Sequence, residues 1–137
     1  MYQVSCQYAR HNSSERHELG QMGASEALRA FDDFAWEREV EDANRLQNVS
    51  PTISVEDNAA RRLIWVSVCG DARELAFVSE CRIIGRKRLF GVFQWEGVVR
   101  LHRDGFTIKG ARRALKLFLS VADEDLRALY SGRNRGA

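Results

Sequence analysis

A chain of 137 residues, 45% hydrophobic and 29% charged, has the size and composition of one soluble domain with a core of its own. No apolar run approaches the roughly 18 to 20 residues that a membrane-crossing helix needs. Met1 to Gly20 carries no apolar leader segment, so the expectation is an unexported, cytoplasmic protein with no membrane partner. The net charge of +2 conceals two territories: eleven acids against four arginines from Ser13 to Asp57, and ten bases against two acids from Arg82 to Phe118.

Residues 1–23 read as a loosely ordered N-terminal segment. Tyr2, Val4, Cys6 and Tyr8 alternate as in an edge strand, but the polar stretch His11 to His17 follows, and Gly20 and Gly23 interrupt what comes next. Residues 24–131 read as a single α+β domain and 132–137 as a polar tail. Ser25 is placed as the cap of a long helix that runs to about Gln47 without Gly or Pro. Its apolar stripe passes from Ala27, Phe31 and Phe34 to Trp36, Val40 and Ala43, a drift that suggests a bend or break near Asp32 and Asp33. Asp33, Glu37 and Glu41, four apart, put three carboxylates on one helix face. Asn48 to Pro51 ends the helix.

Thr52 to Val55 reads as a strand. The stretch Arg62 to Arg82, RLIWVSVCGDARELAFVSECR, is written as a β-hairpin turning at Gly70 to Arg73. Closure about Asp71 and Ala72 predicts Val66 opposite Phe77 and Val68 opposite Leu75. Ile64, Val66, Val68, Leu75 and Phe77 then share one face. Leu63, Trp65, Ser67, Glu74, Ala76, Val78 and Glu80 share the other, which is mixed and therefore expected to stay partly wet.

A second turn is read at Gly85 to Lys87 and a further strand at Leu89 to Phe93. Trp95 to Leu101 is either its continuation past a bulge at Gly97 or a fifth strand. Thr107 caps a helix with Ile108, Ala111, Leu115, Phe118 and Ala122 inward and Lys109, Arg112, Arg113 and Lys116 outward. Asp123 caps a last short helix with Leu126, Leu129 and Tyr130 inward. The expected class is α+β: an antiparallel sheet of four to five strands, with a long N-terminal helix and two C-terminal helices packed mainly on one face.

Chemistry is sparse in this sequence. His11, His17 and His102 stand in no metal-ligand spacing with each other or with a cysteine, and the glycine-rich phosphate loops are missing. No catalytic, metal or cofactor residue is assigned, and an enzyme is not expected. Cys6, Cys69 and Cys81 are expected to be reduced, because the hairpin register holds Cys69 and Cys81 far apart.

The surfaces say more. Asp32, Asp33, Glu37 and Glu41 form an acidic ridge suited to a basic protein. Trp65, on the mixed sheet face, has the character of a binding anchor. The alternative is a basic patch of Arg86, Lys87, Arg88, Arg112 and Arg113 facing nucleic acid, with Phe90, Phe93, Trp95 and Phe106 available to stack on bases. The sequence pI of 8.6 lies below the value of about 9 at which a domain reads as dedicated to nucleic acid.

The succession of an acidic aromatic helix (ALRAFDDFAWEREVEDANRL), SPTISV and IWVSVCGD resembles small bacterial immunity proteins, the cognate inhibitors encoded with contact-dependent and other polymorphic toxins. The resemblance spans Ser25 to Tyr130. It implies a non-enzymatic protein that neutralises a cognate toxin domain by occlusion, and it carries no individual residue with it. Near-neutral net charge departs from the acidic character of many such proteins. Type III secretion chaperones are similar in size and class, but Gly85 to Arg88 is too short for the helix they place between strands three and four.

Overall fold

The computed structural model describes residues 1–89 and 93–132, with side chains outside 87–95. Among these residues the chain forms six strands and four helices in the order β1 (Tyr2–Gln7), β2 (His17–Met22), α1 (Ala24–Asp33), α2 (Trp36–Leu46), β3 (Thr52–Asp57), β4 (Arg62–Gly70), β5 (Leu75–Leu89), β6 (Phe93–Phe106), α3 (Ile108–Leu119) and α4 (Asp123–Tyr130). All six strands join one antiparallel sheet ordered β2-β1-β3-β4-β5-β6. This corrects the expected sheet of four to five strands behind one long helix.

Both added strands come from Tyr2 to Met22, read from sequence as loosely ordered. The alternation of Val4 and Cys6 is a genuine strand signal, since both side chains are buried and β1 lies between β2 and β3. Residue 132 ends the described chain, so the expected tail falls almost wholly outside it.

The expected long helix is two helices. Phe34 and Ala35 leave helical geometry, and Trp36 opens α2. The Phe31 carbonyl at the end of α1 accepts from the Phe34 N–H at 3.3 Å and from the indole Nε1–H of Trp36 at 3.0 Å. A carbonyl that helix termination leaves open is thus satisfied by the side chain that begins the next helix. The Trp36 ring packs against Phe31, Phe34 and Phe77. Gly23, not Ser25, precedes the first helical residue of α1, and Asp123 lies inside α4 with Ala122 before it. Thr107 does cap α3, its side chain accepting from the Gly110 N–H at 3.0 Å.

The β4–β5 hairpin closes two residues later than expected: Val66 faces Ser79, Val68 faces Phe77, and Gly70 faces Leu75. The reason is Asp71, whose Oδ1 accepts from the N–H groups of Arg73 (2.9 Å) and Glu74 (3.0 Å), which holds both outside the ladder. Gly70 makes the turn at φ +83°, where a Cβ would stand 2.6 Å from the Glu74 carbonyl oxygen. A slip of two is one full period of the pleat, so every side chain keeps its face.

Gly85 is not a turn. The strand β5 continues through it to Leu89 and pairs with β6 from Phe93, while residues 90–92 lie outside those described. Gly85 faces Gly97 across the ladder, and a Cβ at Gly85 would fall 2.5 Å from the Val99 side chain.

One face of the sheet carries Val4, Cys6, Ile53, Val55, Ile64, Val66, Val68, Phe77, Cys81 and Ile83, all buried. Against it pack Ala27 and Phe31 of α1, Trp36 and Val40 of α2, Ala111, Leu115 and Phe118 of α3, and Leu126 and Leu129 of α4. Polar links also fasten the C-terminal helices to the sheet, among them Tyr2 OH to the Leu119 carbonyl (3.2 Å) and Arg103 Nη1 to the Leu129 carbonyl (2.6 Å). Arg62, buried at the start of β4, donates to the Phe118 carbonyl (3.1 Å) and to Asp123 Oδ1 (2.6 Å). Ser79 Oγ donates to the Trp65 carbonyl at 2.7 Å and accepts from the Tyr130 hydroxyl at 2.6 Å.

Candidate functional site

Among the described residues, no helix lies on the opposite face of the sheet. Reading across the strands, one row is Gln3, Glu56, Leu63, Arg82 and Arg100, and the next is Ser5, Ser54, Trp65, Glu80 and His102. Among the described residues of this face, only the small Ser5 and Ser67 fall below a tenth exposed. Trp65 is partly exposed near its middle, with the His102 ring edge-on at 6.5 Å. This is the mixed face that the alternation in IWVSVCGD anticipates, and the period of two in β4 dictates it.

Beside Trp65 the hydroxyl-bearing residues Ser5, Thr52, Ser54 and Ser67 line a depression of about 240 Å³, together with Gln7 and Arg16. On the other flank, Glu80 Oε1 lies 3.1 Å from Arg82 Nε and 2.9 Å from Arg100 Nε. Sequence reasoning missed both features. The signal was available in the polar parity of each strand, but reading it required knowing that β1 and β3 adjoin β4.

The acidic residues do not form a ridge on one helix, although Asp32 and Glu37 line a common depression. Asp33 ends α1, while Glu37 and Glu41 are exposed on α2 after the break, so the spacing of four keeps those two on one face and takes Asp33 off it. Asp32 is engaged by Arg112 of α3, Nε to Oδ1 at 2.8 Å and Nη2 to Oδ2 at 3.0 Å. That same contact holds the Arg112 guanidinium above its usual proton affinity.

The basic patch is divided as well. Arg86 lies on the bare sheet face and pairs with Glu96 at 3.2 Å, whereas Arg112 and Arg113 ride on α3 behind the sheet. The side chains of Lys87 and Arg88, and those of Phe90, Phe93 and Trp95, lie outside the described residues.

Ionisable groups also gather where the β1–β2 loop meets α1 and α2. The Tyr8 ring stacks on Phe34 at 5.6 Å, with the Arg10 guanidinium 4.5 Å from its centroid and the His11 ring 5.4 Å away. The adjacent Cys6 thiol, then burial, push the Tyr8 hydroxyl up to about 12. Burial also raises the thiols of Cys6 and Cys69, which keeps them protonated and moves both away from nucleophilic use. Among the described residues no group of three or more His, Cys, Asp or Glu could hold a metal ion.

No protein-family model, curated protein or solved structure matches the chain. No helix among the described residues is long and apolar enough to cross a membrane.

Proposed function

We propose that the chain is a non-enzymatic binding module that docks another protein on the bare face of its sheet, and that this partner is a toxin domain it neutralises by occlusion. The observation that carries the docking reading is Trp65, partly exposed in the middle of a six-stranded face, with a depression lined by hydroxyl-bearing residues on one side and the Arg82–Glu80–Arg100 group on the other. Aromatic and arginine side chains in a desolvated centre are what protein interfaces use as anchors. Strand-borne anchors are also held rigidly, so little conformational freedom is lost on binding.

The toxin reading adds the layout shared with immunity proteins. With Asp32 tied to Arg112 and Asp33 on a different helix from Glu37 and Glu41, the sheet face around Trp65 is favoured over the acidic helix, the other of the two contact surfaces that the sequence offers.

The test is co-expression with the products of the genes beside this one, taken singly, in cells whose growth any toxin domain among them arrests. Growth rescued by the chain and lost with Trp65→Ala, in a variant that still folds, is the expected result. Growth that is equally poor with and without the wild-type chain overturns the toxin reading. Turnover of a small substrate by the purified chain overturns the non-enzymatic one.

A further inference from the structure

We infer that Arg82 and Arg100 form a carboxylate-recognition site, which takes an aspartate or glutamate of the docked protein with an apolar side chain next to it. The inference rests on the bare sheet face being the docking surface and says which chemistry that surface selects.

Arg82 and Arg100 stand directly opposite one another on β5 and β6. Two like charges in that relationship repel. Here Glu80 offsets the repulsion, with a single oxygen 3.1 Å from one Nε and 2.9 Å from the other. Its side chain is only 14% exposed, against 42% for Arg82 and 64% for Arg100, so a sunken acid steers two outward-facing cations. Arg82 donates to it through Nε, and Arg100 Nε forms an ion pair with the same oxygen. Among the described residues neither guanidinium makes a hydrogen bond through its terminal Nη groups, and the trio keeps one net positive charge.

A guanidinium whose terminal nitrogens are free offers a planar fork that matches a carboxylate in two-pronged fashion. Two such forks fixed side by side have already lost part of the freedom that binding would otherwise take away. Leu63 adjoins Arg82 in the register, and Val98 on β6 is 62% exposed. A depression of about 370 Å³ runs alongside, lined by Glu56, Arg61, Leu63, Arg82 and Val98 among others. An acidic side chain on the forks therefore brings its neighbour onto an aliphatic step. Glu56, Glu80 and Glu96 lie on the same face and confine the free positive charge to the two forks, so a single carboxylate is matched there, whereas a phosphate chain running on across the face meets further carboxylates.

The experiment selects a random peptide library, displayed on phage, against the purified full chain. Wild type is expected to enrich peptides bearing Asp or Glu beside Leu, Ile or Val. A synthetic copy of the leading peptide should bind Arg82→Gln/Arg100→Gln about tenfold or more weakly, and wild type should bind its amide form (Asp→Asn or Glu→Gln) as weakly. The Arg82→Lys/Arg100→Lys chain keeps the charge without the fork and should remain weak. Circular dichroism should match wild type for both variants.

Selection without acidic preference, equal binding of acid and amide peptides, or full affinity in the lysine chain overturns the site. Displacement of the peptide by short single-stranded DNA at physiological salt overturns it in favour of phosphate. If the arginine variants rescue growth from the toxin while Trp65→Ala does not, the carboxylate site fails and the docking face stands. If all of them rescue equally, the docking face fails too.

Discussion

Arg112 of α3 closes a two-pronged ion pair on Asp32 of α1, 80 residues away in the chain, at 2.8 and 3.0 Å. The most basic helix and the acidic first helix are thereby neighbours, each supplying the other's counter-charge. The segregated charge that invites a search for oppositely charged partners is partly consumed within the fold. Both side chains stay about two-fifths exposed, so solvent and salt weaken the pair. Arg112→Asp and Asp32→Arg should each lower the urea midpoint slightly, and the double exchange should recover most of the loss. Additive losses in that double-mutant cycle would show that the contact is energetically silent.

Arg62 is a stronger fastening, because its charge is buried. The side chain is 5% exposed, its guanidinium stacks over the Phe118 ring at 4.4 Å, and Asp123 supplies the counter-charge. Asp123→Asn leaves that buried cation without its carboxylate and should cost about 2 to 3 kcal/mol in urea denaturation. Arg62→Met removes the buried charge itself and leaves a carboxylate that water can reach, so it should cost less. Equal losses would place the stabilising contribution in the Phe118 carbonyl contact.

Alkaline pH should destabilise the chain. Burial pushes the Cys81 thiol from 9.0 to about 12 and raises the Tyr130 hydroxyl above its usual value of 10.0. In each case the folded state holds its proton more tightly than the unfolded one. The stabilisation is therefore complete below about pH 9 and disappears as pH rises toward the folded value. Moving from about pH 8 to about pH 10.5 should lose about 2 kcal/mol through Cys81. Urea midpoints across that range should fall, and fall less steeply in Cys81→Ala.

Thiol labelling should separate the three cysteines. Cys69 is exposed at the end of β4, whereas Cys6 and Cys81 are buried. A maleimide should modify Cys69 alone in buffer and all three in denaturant, as counted by intact mass. Its rate should be below that of a free thiol, since partial burial raises the Cys69 proton affinity. Native labelling at Cys6 would mean that β1 opens from the sheet.

Much of this molecule is legible in its residues because local rules decide it. The face that each side chain of β4 and β5 presents follows from the pleat, and it survives a hairpin that closes two residues later than the symmetric reading. The inward stripe of α4 follows from the period of a helix, and the Thr107 cap from the chemistry of its hydroxyl. The break between α1 and α2 shows in the sequence as a drifting stripe, although what closes it, the Trp36 indole on the Phe31 carbonyl, does not.

What the sequence by itself determined is which side chains face inward and which outward along the β4–β5 hairpin and on α3 and α4, because those depend on separations of two to four residues. Tertiary structure alone decided that β1 lies inside the sheet, that Arg112 reaches Asp32, and that Arg82 and Arg100 meet over Glu80. The last depends on how β5 and β6 pair, and the first two on contacts spanning dozens of residues. Such contacts are chosen by the packing of the whole core, and no local preference encodes them.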